Sequence, residues 1–539
     1  VIRPILRKDW SLLWPLVAIV VVLQIALTWF AHSSGLFGGE LAPRELRRPL
    51  TMAWFAAIGA LVAAVVHQDP IPGVDQDWLI RPVPRSELLL SKLLFVVLVV
   101  CGPMLVLDCA RVLAAGFSLS AALPVVLYKE VYLLICFVIP VMALAAITAT
   151  MAELLVFGAA LLAIFAAALS ADAWLLGAEH CPTCDSGVSW IQHVLRHAGV
   201  LVGAGVVLAV QYYHRRTTVS RALAVIGVLA LVFGQLPWRV AFGVQRWLSP
   251  APHAAQAIHF AYDEERSRAP QQESAAASGL PQSTPRNTDG AAERYFERHG
   301  PARTAPVLFQ LPVRIDGLKP DELLLVDRSD VALLGPDGMP RYRGLNPGEL
   351  DRPGPVQAAG LALMQAIALP ARVYRDLGAE QLPLRLDYSI TLMKVRSQHV
   401  ISATDGVLRT AELGACATRP DESGSSIQLR CQKIGLMPFC VGVTVRGPEG
   451  RNNPEFLQCD PDYRPYLPTL TDALNRLAVD VPVRDPTGLT HYALEAANIG
   501  TLQLLIKVYA VQEHAVRSLV TPRIRLIEAI TREGSLSPG

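Results

Sequence analysis

The residues whose types and spacing suggest chemistry most directly are Cys181, Cys184, His193 and His197, in the stretch EHCPTCDSGVSWIQHVLRH. Thiolates and imidazoles in that order can hold zinc, and the two histidines share a face if the stretch is helical. The gap between the pairs is shorter than in common zinc fingers, so a disulfide between Cys181 and Cys184, or one to a partner, is the plainer reading. Thiol exchange is a third reading, with no thioredoxin-like fold to support it. A second constellation is ionic: Asp108 and Arg111 sit three apart, and Lys129 and Glu130 are adjacent. Charges at membrane depth are costly and mark either structural pairing or a pathway; pairing near the outer interface is favoured here. His399, Asp405, His491 and His514 are scattered and form no acid/base or metal constellation. The sequence has no G-x-x-x-x-G-K-[ST], no H-E-x-x-H and no G-x-S-x-G. ATP hydrolysis, zinc-peptidase and serine-hydrolase chemistry are therefore not expected of this chain, nor is a resident cofactor.

The elements that must position these residues come in two kinds. Of 539 residues, 52% are hydrophobic and only 17% charged, and net charge is +2. Apolar runs fill the first part of the chain, while Asp, Glu, Arg, Pro and Ser concentrate later. The basic start VIRPILRKDW precedes an apolar run with no A-x-A-like cleavage site, so it reads as a first span and not a signal peptide. Seven spans are expected, at 11–31, 51–67, 93–116, 122–148, 152–171, 198–213 and 221–238. Each must be helical, because backbone groups find no water in lipid. Pro103 and Pro140 are expected to kink their spans.

Arg3, Arg7 and Lys8, then Arg81, Arg85 and Lys92, then Arg215, Arg216 and Arg221 fall on one side if the N-terminus is cytoplasmic. Arg44, Arg47 and Arg48 break the rule. With seven spans the C-terminal part is then outside. Cysteine usage agrees: Cys101, Cys109 and Cys136 lie in spans, and six others fall in outer segments.

Residues 241–304 read as a juxtamembrane segment and a linker, since 263–304 lack apolar periodicity. Residues 305–539 turn to short alternating runs, VLFQLPVRI, DELLLV, LPLRLDYSITLMKV, SIQLRC, VGVTVRG, LQLLIKVYAV and PRIRLIEA, which point to one or two β-sandwiches. AIHFAYD at 257–263 is an early strand that could join the sandwich across the linker, and 355–375 is the most helix-like interruption. Cys416 and Cys431 are symmetric about a turn near Glu422-Ser423-Gly424, and Cys440 and Cys459 flank Gly447–Asn452 in the same way. Opposed antiparallel partners come within disulfide reach, so Cys416–Cys431 and Cys440–Cys459 are the expected pairs. Binding is expected of this part before catalysis.

Between the second and third spans lies HQDPIPGVDQDWLIRPVPRSELLLSKLL. Pro70, Pro72 and Gly73 break the chain, Asp75–Ile80 can form one amphipathic turn presenting Trp78, Leu79 and Ile80, and Ser86 with Glu87 opens a helix. Such a rigid apolar tip suits a partner's groove, or an interfacial loop with Trp78 at headgroup level. The pattern carried by Trp78, Leu79, Arg81, Pro82, Arg85, Leu88, Leu89, Lys92, Leu93 and Leu94 resembles the permease subunits of type-2 ABC exporters. The opening ILRKDWSLLWP resembles that family's amphipathic elbow helix, and QYYHRRTTVSR at 211–221 its tail after the sixth span.

The resemblance covers residues 1–240. It implies a six-helix permease, homodimeric or paired with a related permease in a bacterial inner membrane. It also implies a separate ATPase chain holding ATP and Mg at the cytoplasmic face. Asp75, Gln76, Asp77, Trp78, Leu79 and Ile80, with Arg81 and Arg85, would be the loop that receives the ATPase's motion. The fold expected overall is a multi-pass α-helical membrane domain, six permease helices plus one extra span, followed by a mainly-β soluble domain. Its expected partners are that ATPase, a second permease and the bilayer, with no nucleic acid. The seventh span and the β region depart from the family pattern. Two other readings stand beside this one: a non-transporting scaffold or sensor whose outer sandwich binds ligands, and an outward-facing thiol-redox protein using Cys181 and Cys184.

Overall fold

The computed structural model describes residues 2–33, 44–68, 85–175, 188–234, 236–263, 307–345, 362–421, 426–435, 440–447, 455–459, 474–483 and 500–525. Among these, six helices are long and apolar enough to cross a membrane: Pro4–Phe30, Arg48–His67, Ser86–Ala114, Leu119–Ala146, Met151–Ser170 and Trp190–His214. They expose large apolar side chains such as Trp29, Val156 and Leu162, each about 70% accessible (70%, 71% and 69%), which suits lipid and not water. Their inner faces carry small residues, Ala63, Ala143, Ala145 and Ala146 among them. Close backbone approach and van der Waals contact, not a hydrophobic driving force, hold helices together in lipid.

The first helix, α1 (Ile2–Ser33), is continuous. A separate elbow before the first span is not formed, because nothing between Ile5 and Leu13 breaks the helix and Asp9 is tied inward to the third span. α2 is Arg44–His67. The third span is α3 (Arg85–Val96), a π turn Val97–Cys101, and α4 (Gly102–Ala114). The fourth is α5 (Leu119–Leu133), a π turn Leu134–Val138, and α6 (Ile139–Ala146). Each π turn lies just before a proline. Pro103 has no N–H for Val99 and Pro140 none for Cys136, so the ladder widens by one residue where the bond is missing. Gln24 Nε2 donates to Val100 O inside the first π turn at 3.2 Å.

α7 is Met151–Leu175, α8 is Ser189–Ala209 with a π turn Val210–His214, and α9 is Thr217–Phe233. The expected seventh span corresponds to α9, but it starts earlier and ends at Phe233, with Gly234 as its C-cap. Its 17 residues reach about 25 Å at 1.5 Å each. A further helix, α10 (Trp238–Trp247), takes the last residue assigned to that span.

Two compact units form. The first holds residues 1–241, 400–438 and 443–506; the second holds 242–399, 439–442 and 507–539. In the first, β7 (Val407–Thr410), β8 (Gly414–Pro420), β9 (Ser426–Ile434) and β12 (Leu474–Pro482) make an antiparallel sheet in the order β12-β9-β8-β7. Cys416 stands directly opposite Cys431, and the two are disulfide-bonded with Cα atoms 4.0 Å apart.

In the second unit, β1 (His259–Tyr262) pairs with β2 (Val307–Asp316), which pairs with β5 (Ala362–Leu369). The early strand therefore joins the β region across the intervening sequence, as its alternation predicts. Of the helix-like segment 355–375, residues 355–361 lie outside the described residues, 362–369 form strand β5, which buries Ile367 and Leu369 against β2, and the helix α11 (Ala371–Leu377) begins only at Ala371. Packing overrides the helix-forming Ala, Leu, Met and Gln of that stretch. β3 (Glu322–Leu334), β4 (Pro340–Leu345), β6 (Gln381–Ser402) and β13 (Gln503–Arg525) lie in a sheet that continues through β10 (Cys440–Arg446) to β11 (Phe456–Cys459). Along β6, Leu382, Leu384, Leu386, Tyr388, Ile390 and Leu392 face one core at strand period. Phe260 of β1 stacks on Tyr388 at 4.4 Å between centroids, so the two layers share that core. The run LQLLIKVYAV continues into the start of PRIRLIEA as one strand, β13, which ends at Arg525 among the described residues, because QEHAVRSLVT between them offers no turn residue. Cys440 and Cys459 are also disulfide-bonded.

Candidate functional site: polar networks of the helical bundle

The ionic residues singled out by spacing are brought together by the α4–α5 hairpin. Lys129 Nζ pairs with Asp108 and lies 3.8 Å from Glu130 Oε1, and Arg111 Nη1 lies 4.0 Å from Asp108 Oδ1. All four are buried. Two acids and two bases make a neutral quartet, which lowers the cost that each charge would carry alone in lipid. Beside it, Leu27, Thr28, Trp54, Met104, Asp108 and Arg111 line a cavity of about 10 Å³, room for roughly one water. The arrangement joins two helices through charge and gives that joint a polar interior.

Lys92 departs from its expected role as a loop cation. It donates to both Asp9 oxygens at 3.1 Å, with both side chains buried. Its charge is neutralised between α1 and α3 and does not count toward orientation. Arg215 and Arg216 remain exposed.

A third network closes the end of the bundle where α2, α6, α7 and α9 meet. His67 Nε2 lies 3.1 Å from both Ala145 O and Thr148 Oγ1. Arg221 donates to Ile147 O at 3.0 Å and pairs with Glu153. Thr150 caps the Glu153 N–H at 3.2 Å, while Glu153 accepts from Ala149 N–H at 2.6 Å; this closes the first turn of α7. This end is the one from which the chain continues into residues 69–84, since they connect Gln68 to Arg85.

The opposite end carries β structure. Val112, Ala122 and Val126 cluster at the α4–α5 turn with Ile434 of β9 against them. Gly116 has φ +84°, and Arg409 of β7 lies so close that a β-carbon there would be 3.0 Å from its guanidinium. A cation set against the last turn of α4 is favourably placed for the helix dipole.

The loop assigned to ATPase coupling, Asp75, Gln76, Asp77, Trp78, Leu79, Ile80 and Arg81, lies outside the described residues. Arg85 is the first residue of α3. Cys181 and Cys184 also lie outside them. His193 and His197 do lie on a helix, α8, with rings 6.2 Å apart, and His197 Nε2 is 2.9 Å from Tyr132 Oη. Among the described residues no group of three or more His, Cys, Asp or Glu is placed to hold a metal. His491 is outside the described set, Asp405 sits in a left-handed turn (φ 49°) and His399 contacts Ser397 at 3.1 Å.

The fourth histidine, His514, belongs to a cluster that sequence reasoning missed. A bulge in β3 between Val326 and Arg328 re-aims Asp327. Thr391 Oγ1 is 2.6 Å from Asp327 Oδ2 and 2.8 Å from His514 Nδ1. With one proton to give, Thr391 donates to Asp327 and accepts from Nδ1–H, which leaves His514 Nε2 to accept from Gln245 at 3.0 Å. Burial pushes the Asp327 carboxyl up to about 7 and the His514 imidazole down to about 4. The only warning in sequence is a lone Asp after the apolar run ELLLV, where alternation fails.

No protein-family model matches the chain, and a search among curated proteins finds no match.

Proposed function

We propose that this chain is the membrane-spanning subunit of an exporter of the type-2 ABC class, driven by a separate ATPase and working as a homodimer or with a related permease. The observation that carries the reading is the difference between the two ends of the helical unit. One end joins α2, α6, α7 and α9 through His67, Thr148, Glu153 and Arg221, and from it the chain runs on into residues 69–84, whose sequence includes Trp78 and Leu79. The other end bears the disulfide-bonded four-stranded sheet on the α4–α5 turn. A cytoplasmic docking face opposite an oxidised outer face suits a coupled transporter.

The test is copurification with the ATPase expressed beside it. Trp78→Ala with Leu79→Ala is expected to reduce the recovered ATPase at least tenfold, a loss of about 1.4 kcal/mol or more, while the permease keeps its detergent melting profile. Undiminished recovery and undiminished ATPase stimulation would reject the coupling role.

A further inference from the structure

α10 combines features that no transport role requires. Its inner side buries Ala241 and Phe242, with the Phe242 ring edge-on to His514 and Gln245 bonded to the same imidazole. Its outer side is also apolar: Val240 is 51% exposed, Val244 38%, Trp247 82% and Leu248, just past the end, 50%. The i, i+4, i+7, i+8 spacing sets these four on one stripe. Exposed Arg239 and Arg246 lie together on one side of it.

The position of the helix in the chain says what covers that stripe. Arg221, in the second turn of α9, bonds Ile147 O at the end of the bundle where residues 69–84 leave. At the far end of α9, Leu236 N–H donates to Gln192 Oε1 in the first turn of α8, at 3.2 Å. The chain has therefore crossed the bundle by Leu236, and Trp238 begins α10 two residues later. Two residues extend at most about 7 Å, about the depth of one headgroup layer. A helix starting there, with an apolar stripe that carries a tryptophan and two arginines together on one side of it, has the make-up of a segment lying in a bilayer surface.

We infer that α10 is an interfacial helix, seated on the outer leaflet through Val240, Val244, Trp247 and Leu248, with Arg239 and Arg246 pairing with anionic phospholipid headgroups. The inference depends on membrane insertion and not on transport or an ATPase.

The experiment uses the full chain in phosphatidylcholine vesicles, and in vesicles of equal parts phosphatidylcholine and phosphatidylglycerol. Both carry a trace of a phospholipid with a photoreactive group near its headgroup. After irradiation, mass spectrometry maps the adducts, with the spans as positive control and the exposed strand β4 as aqueous control. Adducts are expected on Val240, Val244 and Trp247, more abundant in the phosphatidylglycerol vesicles. Arg239→Gln with Arg246→Gln is expected to abolish that preference but not the adducts. Labelled spans with α10 no more labelled than β4 would overturn the placement. Equal labelling in both vesicles would overturn the anionic-lipid assignment. Both readings come from the wild-type protein, and neither is changed by failure of ATPase copurification.

Discussion

Lys129 is the residue on which the ionic quartet turns, because it touches both acids. Lys129→Met leaves Asp108 and Glu130 with Arg111 alone, and removing one partner of a buried pair costs ~3–5 kcal/mol. Adding Asp108→Leu restores neutrality and is expected to recover most of the loss in thermal unfolding of the detergent-solubilised protein. If the double variant melts no higher than the single one, the quartet is not held by charge balance. Asp327 and His514 give a different signature, in pH. His514, held down at about 4, stabilises the folded state above its ordinary 6.5, and that contribution is lost as pH falls toward 4. Asp327, held up at about 7, does the reverse: its contribution is full below the ordinary 3.8 and lost as pH rises toward 7. The two slopes oppose across the shared window, so the intact protein should be nearly flat there. Asp327→Asn should expose stability that rises with pH and His514→Gln stability that falls. Amide exchange along β6 and β13 reads both, and two flat profiles would refute the opposition.

Elements were legible where one force set them. The six long spans follow from uninterrupted apolar length, and the pairing of Cys416 with Cys431 follows from symmetry about a turn. That disulfide closes a 15-residue separation, for which the chain-entropy model gives ~3 kcal/mol. Cys416→Ser with Cys431→Ser should accordingly quicken amide exchange in β7, β8 and β9 together while leaving β2 and β5 unchanged; uniform exchange across both groups would remove the local role. Other elements were hidden because tertiary contacts chose them. β5 is written in helix-forming residues and becomes a strand only because β2 offers an edge. The π turns follow prolines that the sequence showed, but a kink and a widened turn answer the same missing N–H. Lys92 looked like a loop cation because its partner, Asp9, lies a whole helix away in sequence. Asp327 could not be found without the bulge that turns it.

At the scale of the whole molecule, the sidedness is the property to measure. The end that sends out residues 69–84 and the end that carries the four-stranded sheet are opposite ends of one helical unit. On the proposed orientation, a reporter placed after residue 78 reports the cytoplasm and one placed at residue 450 the other side. Signal from both in the same compartment would remove the orientation and, with it, the proposed direction of transport.

The ladder between β1 and β2 has its own consequence. His259–Tyr262 is hydrogen-bonded to Val313–Asp316, while the covalent path between these strands runs through residues 264–306. A protease that clips that stretch cuts the polypeptide without detaching either piece. The cleaved protein would migrate intact under native conditions and fall into two fragments only in denaturant, so maturation by nicking is compatible with this architecture and invisible to any assay of the folded form.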